Sequence, residues 1–408
     1  MSEIPHPNIT RLVVKNYRSL KDIDVRLQPL TVLVGENGSG KSNLIDVLRF
    51  VRDALLSGLP QAYEQRGGMN ALRCWFADEG EPISIHLEFE GPEWSGEYGF
   101  AFDNGQEEVE LLQETFKLTT KVGPQISFEV VNGVVTQASP SMIGKASNKL
   151  APQESLYLAN VAHNSPFVQA VHDFLAKMNF YDFIPKELRQ PQPARPPFPL
   201  SETGDNLAST LLELQRSNSD WMIKAFLEVI AEDLVGVGVE QVNGHLVTKL
   251  RYIYPMGVKL GMGYNSIESE LKDEADGTIQ LLALLTAFYQ KRYPSPLVVE
   301  KPEKAIYSRA LGVCSDAVKA ARQRYQILIT THSPDLIDDL PAKSFLVLEK
   351  EAGISKIGPL SYEQQEAIAD NAFSLGELMQ IEGLLREGAS WLRKYNNACN
   401  YGLSRRPR

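Results

Sequence analysis

A short stretch rich in glycine, with one lysine and one serine, carries the residue types that together bind a polyphosphate. Residues 35–42 read Gly-Glu-Asn-Gly-Ser-Gly-Lys-Ser, which fits the spacing G-x-x-x-x-G-K-[ST]. Glycines let the backbone amides of such a loop point at phosphate oxygens, the lysine reaches the β- and γ-phosphates, and the serine hydroxyl can ligate Mg²⁺. The residues predicted to hold the nucleotide are Gly35, Asn37, Gly38, Ser39, Gly40, Lys41, Ser42 and Asn43.

The segments on both sides of this loop have the patterns that a phosphate-binding loop needs. Residues 30–34 form a β-branched, apolar run that predicts a buried strand. After the loop, apolar residues recur at helical spacing as far as Leu56, and Ser57-Gly58 predicts the end of the helix. A strand, a glycine loop and a helix N-terminus favour phosphate binding over a chance match in a glycine-rich turn.

Two later residues could complete such a site. Glu300 ends a short apolar run that begins at Leu297, and His332 follows another apolar run in the segment Thr331-His332-Ser333-Pro334. The structural alternatives are a salt-bridged strand end for Glu300 and a core histidine for His332. The position of His332 directly after a predicted strand favours a functional role.

Four motifs, taken in order, resemble those of the RecF/SMC-type ATPases of the ABC class. They are the strand and turn of residues 14–20 with the loop of residues 30–43, Asp276-Gly277-Thr278 before an apolar helix, the Glu300 strand, and the His332 segment. The resemblance spans almost the whole chain. It implies an α/β fold: an ABC-type P-loop ATPase head with an antiparallel β subdomain and an inserted helical lobe.

The resemblance also implies ligands and roles for individual residues. ATP and Mg²⁺ are the expected ligands, with Glu300 and Ser42 on the metal side and His332 at the γ-phosphate. The turn that contains Arg18 is expected near the nucleotide. Asp276 and Gly277 are expected to cap the nucleotide held by a second head, so the working unit is expected to be at least a dimer.

The sequence departs from the family pattern at three places. Ile306-Tyr307-Ser308 stands where Leu-His-Pro is usual. Lys301 stands where a water-polarising glutamate is usual, and Ala275 stands where a signature serine is usual. A lysine cannot act as a general base at neutral pH unless its pKa falls by several units. Lys301 could instead hold the γ-phosphate, and Glu303 or another acid could polarise the water. We therefore expect slow hydrolysis.

The sequence suggests five regions. An amino-terminal ATPase half with the phosphate loop covers residues 1–58, and an antiparallel β subdomain covers 59–152. A helical lobe with a proline-rich loop covers 153–245. A carboxy-terminal ATPase half with the signature, acid strand and histidine covers 246–348, and a helical tail covers 349–408.

Composition restricts the class of protein and its compartment. The net charge is −10, which argues against a generally basic nucleic-acid-binding surface. The three cysteines, at positions 74, 314 and 399, have no metal-ligand or disulfide spacing. No apolar run has the length of a membrane span, and the amino terminus has no signal-peptide pattern. These observations predict a cytoplasmic protein that acts away from membranes.

Three functional readings remain open. The first is a nucleotide-gated ATPase like those of bacterial antiphage and overcoming-lysogenisation-type systems. The resemblance implies that such a protein acts with a separate nuclease or toxin, and no nuclease motif is visible in this sequence. The second is a non-hydrolysing, ATP-bound scaffold. The third is a DNA-repair ATPase, which would need a basic face; its candidates are Lys186, Arg189, Arg195, Arg405, Arg406 and Arg408.

Overall fold

The computed structural model describes residues 7–78, 80–104, 109–121, 123–140, 142, 155–231, 233–255, 264–290, 295–306, 308–381 and 383–388. The strands are β1 (Asn8–Tyr17), β2 (Leu20–Arg26), β3 (Leu30–Gly35), β4 (Ile83–Glu90), β5 (Trp94–Asn104), β6 (Val109–Thr120), β7 (Ile126–Val131), β8 (Val134–Ala138), β9 (Asn179–Tyr181), β10 (Gln192–Pro193), β11 (Leu234–Val242), β12 (His245–Pro255), β13 (Tyr264–Glu270), β14 (Leu297–Glu300), β15 (Ile327–Thr330), β16 (Phe345–Glu351) and β17 (Ile354–Pro359).

The helices lie between runs of these strands and after the last strand. They are α1 (Lys41–Ser57), α2 (Leu59–Glu64), α3 (Met69–Leu72), α4 (Tyr157–Val161), α5 (Pro166–Ala176), α6 (Pro185–Leu188), α7 (Leu207–Arg216), α8 (Trp221–Ile230), α9 (Asp276–Tyr289), α10 (Ser308–Ala321), α11 (Pro334–Asp338), α12 (Tyr362–Ala369) and α13 (Leu375–Ile381). None of the described helices is both long enough and apolar enough to cross a membrane.

A mainly parallel sheet forms the centre of the fold. Its order is β17-β16-β3-β15-β14-β9, and every neighbouring pair is parallel except β16 with β17. Strand β3 is buried along almost its whole length because apolar cores cover both sheet faces. Leu33 packs into the core that contains α1, whereas Val32 and Val34 pack into the core that contains α9.

A second sheet is antiparallel throughout and has the order β2-β1-β4-β5-β6-β7-β8. Strand β4 alternates buried and partly buried residues, so that Ile85 and Leu87 face the same core as Phe50 of α1. The antiparallel sheet beside the phosphate loop is therefore confirmed. It also takes in β1 and β2, which precede the loop in the chain.

The region between the two ATPase halves is only partly helical. Helices α4 to α8 lie within residues 153–245, but β9 lies there too and pairs in parallel with β14 in the central sheet. Strands β10 and β11 pair with β12 in a small antiparallel sheet, to which β13 adds. Three residues are too few for a periodic pattern, so β9 could not be recognised from the sequence.

Candidate nucleotide site

The phosphate loop joins β3 to α1 with the geometry that its glycines allow. Strand β3 ends at Gly35 and α1 begins at Lys41. Gly40 has a φ of 109°, which disfavours any side chain, and a Cβ atom there would overlap the hydroxyl of Ser355 on β17. The predicted strand, loop and helix are thus present, and α1 ends before Gly58 as predicted.

Lys41 lies at the centre of the loop and is largely buried. Its ammonium donates hydrogen bonds to the carbonyl oxygens of Gly35 and Glu36, at 2.8 and 2.9 Å. Burial, together with the nearby charge of Lys301, lowers the pKa of Lys41 to about 8. Each of the two ammonium groups raises the cost of the other's charge, and an anionic polyphosphate bound here would relieve that repulsion.

Ser42 and Glu300, the two residues predicted to hold Mg²⁺ on the metal side of the site, lie next to each other. The hydroxyl of Ser42 donates to the Oε2 atom of Glu300 at 3.2 Å, and the guanidinium of Arg49 lies 3.8 Å from its Oε1 atom. Burial raises the pKa of Glu300, while the charge of Arg49 opposes that rise. Among the described residues no group of three or more His, Cys, Asp or Glu forms a metal site. One hydroxyl and one carboxylate suit Mg²⁺, which usually keeps water and phosphate oxygens as its other ligands.

Lys301, Glu303 and His332 come together beside this metal side. The Oε1 atom of Glu303 accepts a hydrogen bond from the backbone amide of His332 at 2.8 Å. Burial raises the pKa of Glu303, and burial with the charges of Lys41 and Lys301 lowers the pKa of His332. Within the described part of the chain, Glu303 Oε2 and His332 Nε2 are buried without a hydrogen-bond partner. Buried polar atoms of this kind fit a site that receives a ligand or an ordered water.

Other predicted residues have partners outside the phosphate loop. The guanidinium of Arg18 lies 3.1 Å from the carboxylate of Asp46 on α1. The amide of Asn43 donates to the Ser19 hydroxyl at 2.7 Å. In the loop itself Asn37 and Gly38 are exposed, whereas Ser39 is buried. The turn that carries Arg18 is thus adjacent to the loop through Ser19, although the Arg18 side chain is engaged by Asp46.

Asp276 and Gly277 begin α9, and Arg189 holds this turn. The Arg189 guanidinium donates to Asp276 Oδ1 at 2.5 Å and to the carbonyl oxygen of Lys272 at 2.8 Å. Over the described residues, no hydrogen bond or ion pair joins Asp276 or Gly277 to the phosphate loop of the same chain.

Of the basic residues considered for DNA binding, two are paired with acids. Arg189 pairs with Asp276, and Arg195 lies 2.7 Å from Asp205. Arg405, Arg406 and Arg408 lie outside the described residues. Pairing lowers the net positive charge that Arg189 and Arg195 could offer to phosphates.

Sequence reasoning missed Arg49 and Ser355. Arg49 follows Ser42 by seven residues, two helical turns, so its place on the same face of α1 could have been read from the spacing. It also lies 3.7 Å from Glu202, which makes it a bridge between two carboxylates. Ser355 lies in the β16–β17 hairpin, far from the loop in sequence, and nothing in its local sequence indicates that it contacts the loop.

Comparisons with known proteins agree with the geometry. Residues 8–119 match the family model described as "AAA ATPase domain". Residues 146–338 match the one described as "AAA domain, putative AbiEii toxin, Type IV TA system". Both matches are to AAA-type ATPase domains. More particularly, the chain is similar to the OLD nuclease of Thermus scotoductus, with 22% identity over 393 residues, which cover 90% of this chain and 67% of that protein.

Solved SMC heads are similar in structure at low sequence identity. The SMC head domain from Thermotoga maritima aligns with a TM-score of 0.44 and 13% identity, covering 87% of this chain and 99% of that one. The Pyrococcus furiosus SMC head with an extended coiled coil, bound to the C-terminal domain of ScpA, aligns with a TM-score of 0.47 and 14% identity, covering 90% and 99%.

Proposed function

We propose that this chain binds ATP with Mg²⁺ and acts as a nucleotide-gated, slowly hydrolysing ATPase dimer. The observation that carries the proposal is the convergence of Lys41, Lys301 and His332 with the oxygen pair of Ser42 and Glu300. Cationic groups and a buried carboxylate with few other partners suit an anionic phosphate chain and its metal ion. The match to AAA-type ATPase domains supports the same ligand class.

Each residue has a proposed role in binding. The backbone amides of residues 35–42 and the Lys41 ammonium hold the phosphates, and the α1 N-terminus adds favourable dipole charge. Ser42 and Glu300 hold Mg²⁺, which would neutralise phosphate charge when bound. His332 Nε2 is available to contact the γ-phosphate because it has no hydrogen-bond partner among the described residues.

Hydrolysis needs a group that orients and polarises water, and we assign this role to Glu303. It is buried, its Oε1 atom is fixed by the His332 amide, and its Oε2 atom is without a partner in the described structure. Lys301 occupies the usual position of the carboxylate, and its ammonium adds positive charge beside Lys41. We therefore expect tight nucleotide binding with slow turnover.

The position of α9 supports the proposed dimer. Among the described residues no hydrogen bond or ion pair joins Asp276 or Gly277 to the loop of their own chain, so we propose that they serve the nucleotide of a second head. ATP would then join two heads, each of which completes the site of the other.

We also propose a role beside a separate effector, such as a nuclease or toxin, in a bacterial antiphage system in the cytoplasm. The relationship to a protein named OLD nuclease supports this proposal. Within the described residues no cluster of His, Cys, Asp or Glu could hold a metal ion for nuclease chemistry. The buried, unbridged Cys74 and Cys314 suit a reducing compartment.

A non-hydrolysing scaffold is the second candidate, because Lys301 removes the usual carboxylate and Ala275 provides no side-chain cap to α9. The DNA-repair alternative receives less support, since Arg189 and Arg195 are paired with acids.

The deciding experiment measures ATP binding and single-turnover phosphate release by the purified chain, with Mg²⁺ and with EDTA. Metal-dependent binding followed by slow release is expected. Binding with no release over many hours would favour the scaffold, and the lack of any nucleotide binding would refute both candidates.

A further inference from the structure

Two adjacent aromatic residues, Trp75 and Phe76, are exposed in a segment that is hydrogen-bonded to the β1–β2 turn beside the phosphate loop. The Trp75 side chain is 90% exposed and that of Phe76 is 45% exposed. A single exposed apolar residue needs no explanation. Two adjacent aromatic rings close to a phosphate-binding loop could bind the base of a nucleotide, because nucleobases stack on aromatic faces.

A chain of contacts places Trp75 and Phe76 next to the loop. The Phe76 ring packs against Gly353, since a Cβ atom there would lie 2.7 Å from it. Gly353 lies in the turn just before β17, and two residues further on Ser355 lies against Gly40, with its hydroxyl 2.7 Å from that of Ser19.

The other end of the aromatic segment is fixed to the β1–β2 turn. The amide of Cys74 donates to the carbonyl oxygen of Asn16 at 2.9 Å, and the amide of Arg18 donates to that of Leu72 at 2.6 Å. The next residue of the turn, Ser19, contacts Asn43 of α1. The aromatic pair is therefore held between the turn and the β16–β17 hairpin, both of which border the loop.

The sheet order gives the direction of the nucleotide. In the central sheet β3 lies between β16 and β15. Glu300 at the end of β14 and His332 after β15 place the metal and the terminal phosphate on the β15 side. A phosphate chain that ends on that side has its nucleoside on the opposite flank, toward β16, β17 and the β1–β2 turn. Trp75 and Phe76 lie on that flank.

The nearest other aromatic residue of the turn cannot take this role. Tyr17 is fully buried, and its hydroxyl donates to Asp46 at 2.6 Å. Arg18 is also held by Asp46. Neither side chain is free to present a flat face to a base.

We infer that Trp75 and Phe76 form the base-binding edge of the nucleotide site, on which a purine base stacks. The inference rests on the proposed nucleotide site and adds to it the recognition of the nucleoside. Stacking does not read hydrogen-bonding edges, so ATP and GTP should bind about equally, and CTP more weakly because its ring is smaller.

The test compares ATP with inorganic tripolyphosphate, which has the phosphates but no base. Affinities are measured by calorimetry with Mg²⁺ for the wild-type chain, Trp75→Ala, Trp75→Phe and Trp221→Ala. Trp221, on α8, is 65% exposed and serves as the matched control. Loss of one base stack should weaken ATP binding by about tenfold. Trp75→Ala should show that loss for ATP alone, Trp75→Phe should recover most of it, and Trp221→Ala should bind both ligands as the wild type does.

Tryptophan fluorescence gives an independent signal. ATP should quench the emission of the wild-type chain and tripolyphosphate should not, and the quench should disappear in Trp75→Phe. The proposal is overturned if Trp75→Ala binds ATP as tightly as the wild type, or if it loses ATP and tripolyphosphate to the same extent. The proposal is also overturned if ATP-induced dimerisation depends on Trp75 while ATP causes no specific quench of tryptophan emission. That result would mean that Trp75 and Phe76 contact a second copy of the chain. A wild-type chain that binds neither ligand would overturn the proposed nucleotide site itself.

Discussion

The backbone amide of His332 donates a hydrogen bond to the Glu303 carboxylate at 2.8 Å. This bond ties the turn after β14 to the segment after β15, at the edge where neighbouring parallel strands end. It fixes one carboxylate oxygen and leaves Oε2 buried with no hydrogen-bond partner in the described structure. An acid is therefore present beside the proposed γ-phosphate position even though Lys301 stands at the usual catalytic position.

Replacement of Lys41 by alanine should remove nucleotide binding. The change deletes a buried ammonium that lies among the loop carbonyls, and hydrogen bonds to charged groups contribute roughly 1.5–3 kcal/mol each. If the ammonium donates two such bonds to the phosphates of bound ATP, their loss predicts at least a hundredfold weaker ATP binding by calorimetry. Lys319→Ala on α10 is the control, since that lysine lies near the exposed Asp316 and should not affect binding. Unchanged ATP affinity in Lys41→Ala would show that the loop does not hold the nucleotide.

The phosphate loop and its flanks could be predicted because their signal is local. Residue spacing, a buried β-branched strand and helical periodicity all lie within about thirty residues of one another. Glu300 and His332 could be proposed because Glu300 ends one short apolar strand and His332 follows another, and such strand ends meet at one edge of a parallel sheet.

Other parts of the site depend on tertiary packing and could not be predicted. The approach of Ser355 to Gly40 depends on a hairpin that is more than three hundred residues away in the chain. The pairing of Arg18 with Asp46 withdraws a residue that the family resemblance associates with the nucleotide. The strand β9 is too short for its pattern to be distinguished from that of the helices on either side.

ATP should convert the chain to a dimer. Asp276 and Gly277 begin a buried fourteen-residue helix, and Arg189 holds their turn. Among the described residues no hydrogen bond or ion pair joins this turn to the phosphate loop of the same chain. Light scattering is expected to show a larger dimer fraction with ATP and Mg²⁺ than without nucleotide, and Lys41→Ala should not respond. A monomer under all conditions at micromolar concentration would contradict the composite site.

The buried Glu114 should make stability depend on pH. Its carboxyl is fully buried between the Tyr98 hydroxyl, at 3.0 Å, and the amides of Tyr157 and Leu158, at 2.6 and 2.9 Å. Burial raises its pKa from 4.5 to about 7. Between these two pH values the folded chain holds a proton that the unfolded chain has lost. The contribution of Glu114 to the free energy of unfolding is therefore complete below pH 4.5 and is lost as the pH rises through 7. The difference is on the order of 3 kcal/mol.

The matched variant for this effect is Glu114→Gln, which has nearly the same shape and does not titrate. Urea unfolding at pH 5, 6.5 and 8 should show that the wild-type chain loses stability relative to Glu114→Gln as the pH rises. Parallel pH profiles for the two proteins would show that Glu114 is already ionised at pH 5 or that the unfolded chain shares its pKa.

Slow turnover is the prediction that depends most on the unusual residues of the site. Phosphoryl transfer requires an in-line water, a metal ion and neutralisation of charge, and most of this is positioning. Lys41, Ser42 and Glu300 are the residues that we propose for the phosphates and the metal ion, so ATP should bind well. Lys301 stands where the family pattern has a carboxylate, and an ammonium group has no lone pair with which to accept a proton from water.

Replacement of Lys301 by glutamate should therefore raise turnover, by about a hundredfold or more if that carboxylate is the missing base. Lys301 is exposed, and its φ of 50° costs about the same for either residue, so the fold should tolerate the change. Single-turnover release of phosphate measures the rate, and ATP affinity measured in parallel separates an effect on chemistry from an effect on binding. Brisk hydrolysis by the wild-type chain with no change in Lys301→Glu would show that position 301 is not the catalytic one.

The complementary variant is Glu303→Gln, which keeps the acceptor for the His332 amide and removes the carboxylate charge. If Glu303 polarises the water, the residual activity of the wild-type chain should fall by about 10²–10⁴-fold while ATP affinity stays within a few fold. In the Lys301→Glu background, Glu303→Gln should reduce the hydrolysis rate much less, because the new carboxylate at position 301 then polarises the water. An equal loss in both backgrounds would mean that Glu303 supports the position of His332 without acting on the water.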